Sequence, residues 1–325
     1  MLLSMLLTIF TFVELNCENL FDCRHDSLKQ DYEFCEGGMR NWHHGRYWRK
    51  VNNIGREIIA CGGEGDDWNL PDMVALVEVE NDSVMTMLTK RSLLNRAHYE
   101  YVMTNSADVR GIDVALLYSP SSFHLDSYYS IRVQMPANER PTRDILYAKG
   151  SVPSVIIPNE SSNFSTLHVF VVHAPSRTGG EKETEYLRQC VSNRLCQSID
   201  SIHSIESDAN IIVAGDFNDY YNNSSVLLLS DHGMYNISAG SKGNNGAKGT
   251  YRYRGEWGSL DQILISESLI KRSQNAKCFI NDLPFLVEED DKYGGIRPRR
   301  TFVGPKYDAD GFSDHLPLVL KLSWK

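Results

Sequence analysis

Ile211-Ile-Val-Ala-Gly-Asp-Phe-Asn218 decides how this chain is read. An apolar run of strand length ends at Gly215, and an acid and an amide follow one residue apart. In extended backbone, side chains two apart point to the same side, so Asp216 and Asn218 share a face just past a buried strand. Such a pair can hold a small polar group. Gly-Asp-x-Asn also makes an ordinary turn through side-chain to backbone bonds. Taken alone, the segment leaves both readings open.

The same arrangement recurs along the chain. Asn16 and Glu18 follow an apolar run at Thr11 to Leu15, and Glu78 ends Met73 to Val77. His173 ends the β-rich run Ser165 to His173, Asp261 sits in Leu260 to Ile265, and Asp314 and His315 precede Leu316 to Leu322. A further β-rich run is Ile112 to Tyr118. Helical spacing appears at Gly45 to Ala60, Asp82 to Leu94, Glu181 to Ile202 and Ser224 to Ser230. Strands and helices are mixed, so the class is α/β without a pure βαβ repeat. Polar loops are expected at 240–249 and 288–295. Six strand-associated segments carry acids, amides or imidazoles where turn residues are usual, which reads as one site at the end of a packed sheet core.

The residue types point to a chemistry. Carboxylates and amides suit Mg²⁺, with Mn²⁺ or Ca²⁺ as alternatives. Mg²⁺ commonly takes one or two protein carboxylates, which fits Glu78 as the main ligand with an Asp and Asn16 assisting. Splitting a phosphate ester needs a placed water and charge stabilisation. Asp216 suits the water, and His315 backed by Asp261 suits the charge.

In this order the motifs resemble the endonuclease/exonuclease/phosphatase superfamily, with its deoxyribonuclease-like enzymes. They are Asn16-x-Glu, Val77-Glu-Val-Glu-Asn81, His173-x-Pro, Gly215-Asp-Phe-Asn, Leu260-Asp-Gln and Ser313-Asp-His. They span residues 14–315, and bacterial members are the most similar. The resemblance implies a four-layer α/β/β/α sandwich over 11–325 and a metal-dependent phosphoric ester hydrolase. It implies that Glu78, Asn16 and Asp314 contact metal, and that Asp216 and Asn218 position the water. It further implies that Asp261 buttresses His315 and that His173 helps protonate the leaving oxygen. Arg110, Arg143 and Arg177 are candidate phosphate contacts, since arginine binds phosphate bidentately, and each also reads as an ion-paired arginine. Phosphodiester hydrolysis, on DNA or RNA, is the leading expectation. Phosphomonoesters, phospholipids and inositol phosphates are the alternatives.

Bulk properties narrow the field. The chain has 325 residues, is 42% apolar and 23% charged, and carries a net charge of −9, which gives no general pull toward nucleic acid or anionic membrane. Basic residues at Arg46, Arg49, Lys50 and Arg56, and at Arg297, Arg299 and Arg300, read as solvated surface, as does the acidic run 288–291. Seven cysteines without a Cys-x-x-Cys argue against a disulfide framework or structural zinc and for isolated buried thiols. Residues 1–10 form an apolar lead-in resembling a signal-peptide core without its positive flank. As written the chain is expected in the cytoplasm, and a fuller leader before Met1 would export it. No stretch is long enough to span a bilayer, and a monomer is expected. Tyr47 is expected to pack on the sandwich, and His43 and His44 to be solvated.

Two rivals belong to other classes. A serine hydrolase built on Ser313, Asp314 and His315 fails sterically, because consecutive side chains cannot form a relay. A non-catalytic phosphate-binding module would keep the same polar set without turnover.

Overall fold

The computed structural model describes residues 8–63, 68–154, 156–159 and 162–324. Most of the apolar lead-in, residues 1–7, lies outside them; Thr8 to Phe10 already belong to the first strand. The strands are β1 (Thr8–Leu20), β2 (Met73–Val79), β3 (Glu100–Met103), β4 (Asp113–Tyr118), β5 (His124–Ile131), β6 (Ile145–Pro153), β7 (Phe164–His173), β8 (Ile211–Asp216) and β9 (Met234–Asn236). They continue with β10 (Tyr251–Tyr253), β11 (Glu256–Gly258), β12 (Asp261–Ser266), β13 (Asn275–Ile280), β14 (Val287–Glu289), β15 (Ile296–Pro298), β16 (Phe302–Val303), β17 (Lys306–Tyr307) and β18 (Leu318–Trp324). Helices are α1 (His44–Ala60), α2 (Asp82–Thr86), α3 (Glu185–His203), α4 (Ser224–Leu227) and α5 (Glu267–Arg272).

Two six-stranded sheets carry the fold, ordered β13-β18-β1-β2-β4-β3 and β5-β6-β7-β8-β12-β9. Within each, one central pair is parallel, β1 with β2 and β7 with β8. Alternation sorts the faces. Phe10 and Phe12 of β1, Ala75 and Val77 of β2, Val169 and Val171 of β7, and Ile212 and Ala214 of β8 meet between the sheets. Val13 and Leu15 face the other way, onto Val51, Ile54 and Ile58 of α1. Phe170, Val172, Ile211 and Val213 face Val191, Leu195 and Ile199 of α3. Each of these buried aliphatics contributes roughly 1.5–3 kcal/mol. The result is the expected four-layer α/β/β/α sandwich of the DNase I-like type.

Several expectations are corrected. The segment 82–94 is not one helix: α2 gives way to a wide π turn at Met87–Arg91 and a 3-10 turn at Leu93–Arg96. The expected loop 288–295 begins inside β14, with 290–295 as the tip of the β14–β15 hairpin; of its acids Glu289 and Asp291 are exposed as expected, whereas Glu288 has Arg297 Nε at 2.8 Å and Asp290 has Arg252 Nη1 at 3.3 Å. Lys50 is not solvated. Helical spacing puts it beside Tyr47, Val51 and Ile54, and its buried ammonium donates to Thr301 Oγ1 at 2.7 Å and to the Phe312 carbonyl. Of the cysteines only Cys17, Cys61 and Cys196 are fully buried. Tyr47 is buried and His43 and His44 are exposed, as expected. No helix among the described residues is long and apolar enough to cross a membrane.

Candidate active site

Four strand ends converge. Asn16 ends the straight part of β1, Glu78 lies at the end of β2, His173 closes β7 and Asp216 closes β8. The register shifts between Asn16 and Leu20 and again between Val77 and Val79, so each first-sheet strand bulges where its polar residue sits. A bulge re-aims a side chain. Here Glu18, Asn19, Glu78 and Asn218 all adopt positive φ, at 48°, 56°, 61° and 50°. Such backbone costs on the order of 1 kcal/mol or more per residue and persists only when its surroundings fix it.

The second sheet supplies the ladder behind the site. His173 pairs with Asp216 across β7–β8, and Asp216 with Asp261 across β8–β12. Gly215 is required because a Cβ there would lie 1.9 Å from the Val172 carbonyl oxygen. Asn16 Nδ2 crosses between the sheets and donates to Asp216 Oδ2 at 3.1 Å. The other oxygen of Asp216 accepts the Asn218 N–H at 2.8 Å, and Asn218 Nδ2 donates to the Ala174 carbonyl at 3.1 Å. The turn reading of Gly-Asp-x-Asn is the one observed: the strand ends at Asp216, and Asn218 turns into the left-handed region rather than continuing the extended face expected of it.

His315 stands opposite. Its Nδ1 lies 2.7 Å from Asp261 Oδ2 and 3.0 Å from Oδ1, and Thr250 Oγ1 donates to the same carboxylate. Tyr251 lies against the imidazole with ring centroids 4.8 Å apart. Ser313 Oγ donates to the Asn16 carbonyl at 2.5 Å and accepts the His315 N–H at 3.1 Å. The serine is thus a strut, and the residue orienting His315 is Asp261, not Asp314, which removes the serine-hydrolase relay.

Electrostatics separate the ionisable groups. Burial pulls His315 down, but Asp261, Asp314 and Asp216 together lift it well above the ordinary value. Burial and the nearby Asp261 push Asp216 up to about 7, with His315 opposing. Burial and the positive charges of Arg143, Arg110 and His315 hold His173 well below the ordinary imidazole value, so it is neutral. Its Nε2 lies 3.9 Å from both Glu78 Oε1 and Asp216 Oδ2. Glu78 Oε2 accepts the Asn19 N–H at 2.9 Å, while Oε1 has only Arg110 Nη2 at 3.7 Å and His173 nearby. Asp216, Asp261 and His315 offer donor atoms within 4.8 Å of one another. With Asp261 committed to His315, however, the carboxylate left open toward a cation is Glu78.

The three arginines separate. Arg110 is half exposed at the rim and donates to Asn19 Oδ1 at 2.5 Å. Arg143 is buried behind His173 and holds the Ala174 carbonyl at 2.7 Å and Asp108 at 3.3 Å. Arg177 donates to the Asn218 carbonyl at 2.7 Å, to Asp219 at 3.1 Å and to Asn223 at 3.0 Å. Asp314 is partly exposed, and its charge bears on Glu18, Tyr251 and His315.

Sequence reasoning missed Tyr251, Lys50 and Glu14. Glu14 lies on the same face of β1 as Phe12 and Asn16, fully buried, with neither oxygen hydrogen-bonded. Period-two alternation counted back from Asn16 carried that signal.

The Endonuclease/Exonuclease/phosphatase family model matches residues 11–324. No curated protein matches the sequence. Among solved structures, an endonuclease/exonuclease/phosphatase family protein from Bacteroides thetaiotaomicron is 12% identical over 98% of this chain and 96% of its own, with a TM-score of 0.57. Truncated TDP2 from Caenorhabditis elegans is 13% identical over 97% of both chains, TM-score 0.57. The human Nocturnin catalytic domain with bound sulfate is 17% identical over 98% and 95%, TM-score 0.54. At these identities the likeness is one of fold.

Proposed function

Because the chain belongs to the Endonuclease/Exonuclease/phosphatase family, we propose that it is a divalent-cation-dependent phosphoesterase that cleaves phosphodiester bonds with an activated water. The observation that carries this reading is the Asp261–His315 pair beside Asp216, the register partner of Asp261, which Asn16 holds from the other sheet.

The donor set fits a hard cation. Glu78 Oε1 takes no hydrogen bond among the described residues, and His173 Nε2 lies 3.9 Å from both it and Asp216 Oδ2, so two carboxylates flank one imidazole with no thiolate among them. Glu78 and Asn16 would hold the ion, with Asp314 as a further contact. Mg²⁺, or Mn²⁺ in its place, would supply Lewis-acid stabilisation of phosphoryl oxygens. The chain's own residues do the rest. Asp216, held by Asn16 and the Asn218 N–H, orients the water and takes its proton. His315, kept positive by Asp261, stabilises charge on the phosphoryl oxygens. Neutral His173 donates a hydrogen bond toward the leaving oxygen, a weaker role than the proton donor expected from the resemblance. Arg110 is the arginine placed to meet an incoming phosphate.

Surroundings favour a substrate with aromatic parts, such as an oligonucleotide. Tyr251 lies on His315, and the β10–β11 hairpin that carries it meets exposed Tyr220 at Gly258 and Tyr293 at Gly255. Rings at the rim of a phosphoesterase site can stack on bases. The test is incubation with supercoiled plasmid and Mg²⁺, beside an EDTA control and Asp216→Ala. Nicking lost in both controls is the expected result. Wild-type rates in Asp216→Ala and His315→Ala would overturn the reading, and no nicking would move it to phosphomonoesters, inositol phosphates and phospholipid head groups.

A further inference from the structure

The loop after β1 gathers a second set of donors that the reaction above does not use. His25 Nδ1, an Asp31 carboxylate oxygen and Cys35 Sγ all lie within 4.8 Å of one another. Asp31 is the hub. Its Oδ1 lies 2.5 Å from His25 Nδ1, its Oδ2 accepts the Asp26 N–H at 2.7 Å, and its carbonyl accepts from Cys35 Sγ at 3.7 Å. Cys23, two residues before His25, is close enough to Cys35 for its charge to act on it. Asp22, Asp26 and Glu80 crowd the same spot: Glu80 accepts the Asp22 N–H at 2.7 Å, and the charges of Asp22, Asp26 and Asp31 bear on Glu80. Among the described residues no Lys or Arg pairs with Asp22, Asp26, Asp31 or Glu80. Among these residues, negative charge and soft donors thus meet with only the unpaired charge of Arg24, which bears on Asp22 and Cys23, to offset them.

The loop is also pre-shaped. Phe34 stacks on Phe21 with centroids 4.4 Å apart and meets the edge of buried Trp42 at 5.8 Å. Lys29 Nζ donates to the Ser106 and Asp108 carbonyls at 2.9 Å each, and the Gln30 N–H to the Val109 carbonyl at 2.7 Å. Tyr32 stacks on the His25 ring at 4.3 Å. A rigid loop holding sulfur, imidazole and carboxylate together is what four-coordinate zinc requires. Mg²⁺ has little use for sulfur, so the two sites would sort ions by hardness.

We propose that His25, Asp31 and Cys35, with Cys23 turning in as the fourth donor, form a structural Zn²⁺ site, separate from the catalytic cation, that fixes the loop joining β1 to α1. On binding, the ion would take the two thiolates, whose protons leave to solvent, together with the Asp31 carboxylate and the Nδ1 lone pair of a neutral His25 ring that keeps its one proton on Nε2. The absence of a Cys-x-x-Cys hid this from sequence reading: the donors come as Cys-x-His and Asp-x-x-x-Cys, brought together by the turn at Tyr32–Phe34.

The test uses the full chain, stripped with a chelator, kept reduced, and titrated with Co²⁺ as a spectroscopic stand-in for Zn²⁺. We expect one equivalent bound with an intense thiolate-to-cobalt absorption that Zn²⁺ bleaches. Cys35→Ser and His25→Ala should each lose that band, and Glu78→Gln should keep it. His25 has a partly exposed side chain, so its variant guards against loss by unfolding. Co²⁺ uptake without a thiolate band, a band retained in both Cys35→Ser and His25→Ala, or a band lost only in Glu78→Gln would each overturn the proposal. Because absorption is the readout, the outcome stands apart from whether the protein nicks DNA.

Discussion

Asp261 Oδ2 lies 2.7 Å from His315 Nδ1, and both residues are buried. That contact engages Nδ1 and so fixes the imidazole's orientation, and it keeps the ring positive where burial alone would make it neutral. Asp261→Asn keeps the shape and removes the charge. The raised pKa of His315 then collapses, so the charged form survives only at lower pH. We expect kcat to fall by about 10³ near neutrality, by analogy with the orienting carboxylate of a catalytic relay. Residual activity should move to lower pH than in the wild type. A pH–rate profile of the two proteins decides; superimposable high-pH limbs would remove His315 from the mechanism.

Arg110 and Arg177 should respond in opposite ways. Arg110 is half exposed, and its one side-chain hydrogen bond among the described residues, to Asn19 Oδ1, is at the exposed rim where a phosphate can replace it, so Arg110→Ala should raise KM about tenfold, roughly 1.4 kcal/mol, with melting unchanged. Arg177 is committed to the Asn218 carbonyl, Asp219, Asn223 and Glu181, and lies over the Tyr220 ring at 4.2 Å. Arg177→Ala removes one of the two arginines on buried Asp219, which keeps Arg188 Nε at 2.7 Å and Ser225 Oγ at 2.6 Å, and should cost about 1–2 kcal/mol of stability. Thermal melts beside Michaelis kinetics separate the two. A KM effect without destabilisation in Arg177→Ala would make it a substrate contact after all.

The glycine of the opening motif is a packing residue as much as a turn residue. Gly215 has φ of 145° and presses on the Val172 backbone across the parallel β7–β8 pair. Gly215→Ala combines a clash with backbone strain and should cost on the order of 3 kcal/mol. Soluble yield and melting temperature are the measures. A variant that melts like the wild type but is inactive would show that the glycine serves chemistry alone.

Strand-end residues were legible because the chemistry sits at the ends of apolar runs, where an acid or amide interrupts a local pattern. The central strands β1, β2, β7, β8, β12 and β18 stood out for the same reason. Outer strands did not. The residues of β5 are nearly all exposed up to Ile131, so no burial alternation marks them. In β6 the interior Gly150, needed where the Phe123 ring presses in, dilutes the signal. Lys50 was misread because its type outweighed its helical position. The partner it neutralises, Glu18, lies 32 residues back at 3.6 Å, a nonlocal fact no window captures.

Glu14 offers the sharpest physical test of the interior. It lies between the sheets with neither oxygen hydrogen-bonded. Burial raises its pKa well above the ordinary 4.5, and the charges of Asp261 and Asp216 raise it further, against His315. A carboxyl whose folded value exceeds its unfolded value is protonated on folding. Its contribution to stability is complete below the unfolded value, near 4.5, and is lost as pH rises through the folded value. Glu14→Gln cannot ionise and escapes that loss. The two proteins should therefore differ least in acid, and the variant should gain by roughly 1–3 kcal/mol in mild alkali, the usual penalty of an unsatisfied buried polar group. Denaturant melts of both across about pH 5 to 9 measure the difference, in which all other titrating groups cancel to first order. A difference that stays flat with pH would mean that Glu14 is ionised and paired in the folded protein.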